Sequence, residues 1–167
     1  MPVLISDFNR LSEADAADFA ATLVAIPTFT TTMVRSRPFA SKAAMRERAA
    51  EAASAWSQAE VQLALSGHPR IGERASAAEP GAGHSAREQG AVATAGDELR
   101  ERIAEGNRRY EARFDRIFLV RAAGRSPAEI LEQLDARLEN DDDAELAVVA
   151  SELRDITLLR LDESVTE

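Results

Sequence analysis

Residues 126–161 read SPAEILEQLDARLENDDDAELAVVASELRDITLLRL. Ser126 with Glu129 forms a capping box. Pro127 falls at the first helical position, where its fixed φ suits a helix start and its missing N–H costs nothing. Apolar residues then recur at helical spacing as far as Asn140. The acidic run at 140–143 reads as a turn and a second helix start, because negative charge favours the positive end of a helix. Leu146, Val149, Leu153, Ile156 and Leu159 share one face of the helix that continues. Nothing here alternates with the period of a strand. The fold class that follows is all-α.

The same signals recur upstream. Ser12 with Asp15 opens a helix over EADAADFAATLVAI, which Pro27 closes, and the short FTTTMVRSR stops before Pro38. Ser41 caps KAAMRERAAEAASAWS. Ser57 with Glu60 makes a capping box for QAEVQLALS, with Gly67 placed to end it. The irregular run at 68–84 is about as long as a compact domain tolerates. Ser85 with Glu88 reads as another capping box, opening a pattern that continues to about Asp115. So long a helix is expected to break near Gly90, Gly96 or Gly106. IFLVRAAG, residues 117–124, is either a buried extended stretch or the end of that helix. We therefore expect a single compact domain over residues 1–167, built from about eight helices.

Composition narrows the chemistry. The chain has 167 residues, a formal net charge of −9, two histidines and no cysteine. The acidic balance argues against nucleic acid as a partner. Absent cysteine removes thiolate nucleophiles, disulfides and cysteine metal sites. Lys42 is the only lysine among twenty basic residues, so a Schiff base could form nowhere else. No apolar run approaches the ~20 residues that span a bilayer, and the N-terminus has no leader pattern. A cytoplasmic protein without a membrane partner is the expectation. GAGHSA at 81–86 matches the dinucleotide fingerprint, but no strand precedes it and the match fails its structural test. His84 is expected to be exposed in that loop. No paired Glu-x-x-His motif or EF-hand spacing is present, so no metal site is expected.

His68 stands apart, set between Gly67 and Pro69 in SGHPRIGER (66–74). Proline stiffens the chain beside it, so the imidazole is held in a definite direction. It either ends a helix at the surface or serves a site, and a ring that titrates near neutrality suits the second role. Glu88 has a plain alternative as a capping acid, and Arg160 in LLRL could pack its stem while its head reaches solvent.

Taken in order, GHPRIG (67–72), SAREQ (85–89), NRRYEARF (107–114), IFLVRAAGRS (117–126) and the C-terminal run from Arg137 to Leu161 form a specific combination. Together they resemble the 2-oxo-4-hydroxy-4-carboxy-5-ureidoimidazoline (OHCU) decarboxylase family. ISDFNRLSEADA and RPFAS in the N-terminal part fit as well, so the resemblance covers essentially the whole chain. One departure is FDRIF, where many members carry a Gly-Phe-Pro-Phe-like run.

The resemblance implies an all-α homodimeric carboxy-lyase that needs no metal or organic cofactor and forms (S)-allantoin in urate degradation. It also implies site residues. His68 and Glu88 would form the catalytic pair, with His68 as the acid. Pro69, Ser85, Ala86, Arg87, Gln89, Phe118, Leu119, Val120, Arg121, Ala122 and Arg160 would bind substrate, Arg160 through ring or ureido oxygens. A carboxylate beside an imidazole favours the charged ring, so Glu88 is expected to raise the pKa of His68. Amides at the start of the Ser85 helix are expected to help hold the substrate. Two other readings stay open: a catalytically silent ligand-binding module of this fold, and a decarboxylase of a related ureido or imidazoline acid.

Overall fold

A computed structural model describes residues 1–73 and 81–167. A short strand β1 (Val3–Leu4) leads into α1 (Ile5–Phe8), α2 (Glu13–Leu23), α3 (Pro27–Arg35), α4 (Lys42–Ser54) and α5 (Gln58–Ser66). After the connection come α6 (Ala82–Glu88), α7 (Gly90–Ala93), α8 (Asp97–Phe114), α9 (Pro127–Arg137), α10 (Asp142–Ser164) and β2 (Val165–Thr166). The two strands pair in parallel and tie the ends of the described chain together. The all-α expectation is met. The described residues hold ten helices rather than about eight, because two of them are single turns and the long pattern after residue 81 divides in three.

Side-chain caps account for half of the ten helix starts among the described residues. The Ser12, Ser41 and Asp141 side chains accept hydrogen bonds from Asp15, Ala44 and Ala144 N–H. Ser57 with Glu60 and Ser126 with Glu129 are complete capping boxes. Ser85 with Glu88 is not one. Its helix, α6, begins earlier, behind Gly81 in the left-handed conformation (φ +82°), with no side-chain cap. Ser85 is therefore mid-helix and Glu88 is the last residue, and the Ser85 N–H is spent on the Gly81 carbonyl at 3.1 Å. The amides expected to be free at that turn are inside the helix. Residues 74–80 of the expected irregular run lie outside the described residues; its last residues, 82–84, belong to α6, so His84 is helical and half-buried rather than in a loop.

The breaks fall at Gln89 and Gly96. Gly106 lies inside α8 for a packing reason: a Cβ there would come within 2.2 Å of Leu134 Cδ2 on α9. Two apolar clusters result. One joins α1–α5 with α10 through Phe8, Phe29, Met33, Met45, Leu153 and Leu161. The other joins α8 and α9 through Ile103, Tyr110, Ile130 and Leu134. Residues 117–122 run between them outside any helix or strand, with Phe118, Leu119, Val120 and Ala122 buried. IFLVRAAG is the buried stretch, not a helix end.

Candidate active site

α5 stops at Gly67, yet the His68 N–H still bonds the Leu65 carbonyl at 3.0 Å. Pro69 has no N–H with which to continue the helix. The chain therefore turns at His68 and leaves its ring largely buried between two small cavities. The first has His68 and Pro69 on one side, Ser85, Glu88 and Gln89 of the α6 end on another, and Phe118, Leu119, Val120 and Ala122 as a wall. Ile71 and Ile156 complete it. The second lies across the ring, where His68, Ser85 and Arg160 meet Val24 and Ala25 of the α2–α3 link. The two have free volumes of about 20 and 30 Å³. Each has room for roughly one water, so a substrate enters only as side chains give way.

Arg160 organises this corner. Its Nε donates to Glu88 Oε1 at 2.7 Å and its Nη2 to Glu88 Oε2 at 2.9 Å, a bidentate pair. Nη2 also reaches Ser85 Oγ at 3.2 Å, and Nη1 reaches the Leu23 carbonyl at 3.2 Å. Among the described residues, four of the five guanidinium hydrogens are thereby used, and the one left is on Nη1. Gly81 is required for this assembly. A Cβ at that residue would stand 2.7 Å from the Thr22 carbonyl oxygen and 3.4 Å from Arg160 Nη1.

This pairing corrects the expected electrostatics of His68. Burial is the largest influence and the positive charge of Arg160 the next; together they push the ring down to about 4, with Glu88 pulling weakly the other way. Glu88 does not raise the imidazole pKa above its ordinary value, because burial and the Arg160 charge outweigh it. His68 is neutral at pH 7.

Of the residues named from the sequence, the structure gathers His68, Pro69, Ser85, Glu88, Gln89, Phe118, Leu119, Val120, Ala122 and Arg160 at these two cavities. Gln89 is anchored there, its Oε1 accepting the Gly72 N–H at 2.8 Å. Ala86 and Arg87 are exposed on α6 and line neither cavity. The Arg87 guanidinium turns instead to His84 Nδ1, at 3.2 Å. Arg121 lines neither cavity, and its N–H points to Glu152. Ile71 and Ile156 were not singled out from the sequence. Ile156 was legible only as one of the apolar positions of α10, and Ile71 carried no signal beyond its closeness to His68. Among the described residues no three His, Asp or Glu side chains gather as a metal site. None of the described helices is long and apolar enough to cross a membrane.

Comparison with known proteins bears on this corner. The sequence model of the OHCU decarboxylase family matches residues 9–162. A crystal structure of OHCU decarboxylase in the presence of (S)-allantoin superposes with a TM-score of 0.74 at 28% identity. The match covers 87% of this chain and 96% of that one. A crystal structure of (S)-allantoin synthase gives the same TM-score at 15% identity, covering 99% of this chain and 54% of that one, a likeness of fold alone. The uric acid degradation bifunctional protein TTL of Arabidopsis thaliana is 39% identical over 101 residues. Those residues are 59% of this chain and 31% of that protein, so the chain spans only a fraction of that relative's length.

Proposed function

Because the chain belongs to the OHCU decarboxylase family, we propose that the chamber around His68 is where it removes CO₂ from OHCU. The reaction is that of a carboxy-lyase and yields (S)-allantoin in urate degradation. The observation that carries this reading is an imidazole held between an apolar wall and the Arg160–Glu88 pair.

The substrate supplies its own electron sink. Its C4 bears both the carboxylate and a hydroxyl, and C5 is double-bonded to a ring nitrogen. When CO₂ leaves, the bond pair moves into a C4–C5 double bond and that nitrogen takes up a proton. The resulting enol then loses its hydroxyl proton and gains one at C5. One proton is consumed for each CO₂ released. A neutral His68 suits the second stage: it accepts the hydroxyl proton and returns it to a single face of C5, which sets the hand of the product. No electron-accepting cofactor is needed for this sequence.

The other residues hold the substrate. Arg160 offers its remaining Nη1 hydrogen and its charge to a ring or ureido oxygen, while Glu88 keeps that guanidinium in place. Gln89, its oxygen tied to Gly72, lines the chamber and has its amide hydrogens to offer the substrate. The amides of the 118–122 wall supply further donors, and Pro69 and Phe118 exclude water. We propose further that the chain is one domain over residues 1–167, acts as a cytoplasmic homodimer, and requires neither metal nor cofactor.

OHCU can be generated in place from urate with urate oxidase and hydroxyisourate hydrolase, and circular dichroism then follows the product. Wild-type protein is expected to give optically active (S)-allantoin rapidly. His68→Asn is expected to be slower by about 100- to 10,000-fold, the range for a general acid–base group, with its fold intact. A wild-type trace no faster than the spontaneous racemic reaction overturns the reading. Binding of (S)-allantoin without turnover would then mark a silent binding module.

A further inference from the structure

Residues 117–122 lie outside every helix and strand, so apart from the Ala122 carbonyl, which accepts the Arg125 N–H at 3.0 Å, their backbone groups look to side chains for partners. Their own side chains alternate. Ile117 and Leu119 pack into the N-terminal cluster, whereas Phe118, Val120 and Ala122 pack into the other. A two-residue alternation is the mark of an extended segment, in which the N–H and C=O groups of every second residue share a side. Residues 119 and 121 use that side. The Leu119 carbonyl accepts from Arg137 Nη1 at 2.6 Å, and the Arg121 N–H donates to Glu152 Oε2 at 2.6 Å. Among the described residues, the N–H groups of Val120 and Ala122 have no acceptor.

We propose that Glu152 and Arg137 are positioning residues for the reaction assigned above, holding the wall from behind so that the Val120 and Ala122 amides aim into the chamber. Neither touches the substrate. Each is locked in turn. Arg137 is gripped by Glu145 at 2.5 and 2.9 Å, and Glu145 also accepts from Tyr110 Oη and Asn140. Glu152 is gripped by Arg125 at 3.2 Å. One helix carries the whole set: Glu145, Glu152, Ile156 and Arg160 recur along α10 at intervals of about one or two turns. The wall, the chamber floor and the site arginine therefore share one rigid support.

The inference rests on the decarboxylase reading, and its test separates the two. Glu152→Gln keeps an oxygen for the Arg121 N–H but gives up the charge against Arg125. Glu152→Ala loses both, and Glu152→Asp, one methylene shorter, makes the same comparison should the alanine variant not fold. The alanine or aspartate variant is expected to lose about 10- to 100-fold in kcat/KM, as a misplaced binding group does, and to form allantoin of lower optical purity. Glu152→Gln is expected to recover most of both. In the ligand-free protein, hydrogen exchange at Arg121 is expected to accelerate in the alanine variant and not in the glutamine one. Exchange that follows this pattern while wild type shows no turnover supports the clamp and discards the decarboxylase reading. Turnover by wild type, with Glu152→Ala matching it in kcat/KM and exchange, overturns the positioning role. So does a glutamine variant as impaired as the alanine one.

Discussion

Two arginine–glutamate pairs with a buried arginine, Arg137–Glu145 and Arg160–Glu88, differ in how completely the carboxylate is satisfied. Arg137 and Glu145 are both buried, and Glu145 has no exposed surface. Glu145 accepts two hydrogen bonds from Arg137, one from Tyr110 and one from Asn140. The Arg137 guanidinium also lies 4.6 Å from the centre of the Phe118 ring. At the other pair, Glu88 accepts from Arg160 alone among the described residues, keeps some exposure, and faces a cavity that also receives a histidine. Burying charge is expensive unless every lone pair and proton is used. In the first pair four donors fill the Glu145 carboxylate, and the pair serves as framework. In the second, the Glu88 carboxylate has only the two Arg160 donors among the described residues, so acceptor sites remain beside a titratable ring and binding and proton transfer have somewhere to occur.

The difference is exposed most strongly by removing one partner from each pair. Glu145→Ala strands the Arg137 charge in a dry interior and is expected to cost about 3–5 kcal/mol, read from urea unfolding. Glu88→Gln is expected to cost distinctly less, because its amide oxygen still meets Arg160 and the cavity admits water. Its loss is expected in turnover instead. Equal stability losses would mean that the two pairs are not different in kind. Gly81→Ala comes next. The strained φ and the close Thr22 carbonyl are expected to cost about 1–3 kcal/mol and to shift α6 against Arg160, lowering activity in a protein that still folds.

A smaller effect appears with pH. Unfolded His68 titrates near 6.5, and folding pushes it down to about 4. Between those values the unfolded state holds the extra proton, so stability is lost as pH falls through this window and is unaffected above it. Burial lowers His84 too and adds to the same slope. His68→Asn is therefore expected to flatten the fall in unfolding free energy between pH 6.5 and 4 without abolishing it. An unchanged slope would show that His68 is not buried in its neutral form.

Much of the fold was legible because its helix starts are written in single side chains. Ser12, Ser41, Ser57 and Ser126 act within three residues of themselves, a range sequence reading handles well. Ser85 misled for the same reason. It carries the cap pattern, but the left-handed turn at Gly81 starts the helix first and the serine is left for Arg160. Gly106 was a candidate break because its tight packing against Leu134 comes from α9, beyond any local signal. At the site, His68 and the wall stood out through Pro69 and the apolar run bounded by Gly124. The partner of Glu88 did not. Arg160 lies 72 residues away, and only the folded chain shows that it, rather than His68, takes the carboxylate. Resemblance supplied the residues of the site, and geometry reassigned their charges.

The most direct test of this account is an NMR titration of the His68 ring in the ligand-free protein. A midpoint near 4 is predicted, rising when Arg160→Met removes the positive charge and frees Glu88. A wild-type midpoint at or above 6.5 would contradict it, because Glu88 would then govern the ring and His68 would rest as the acid rather than as the neutral carrier of the proton.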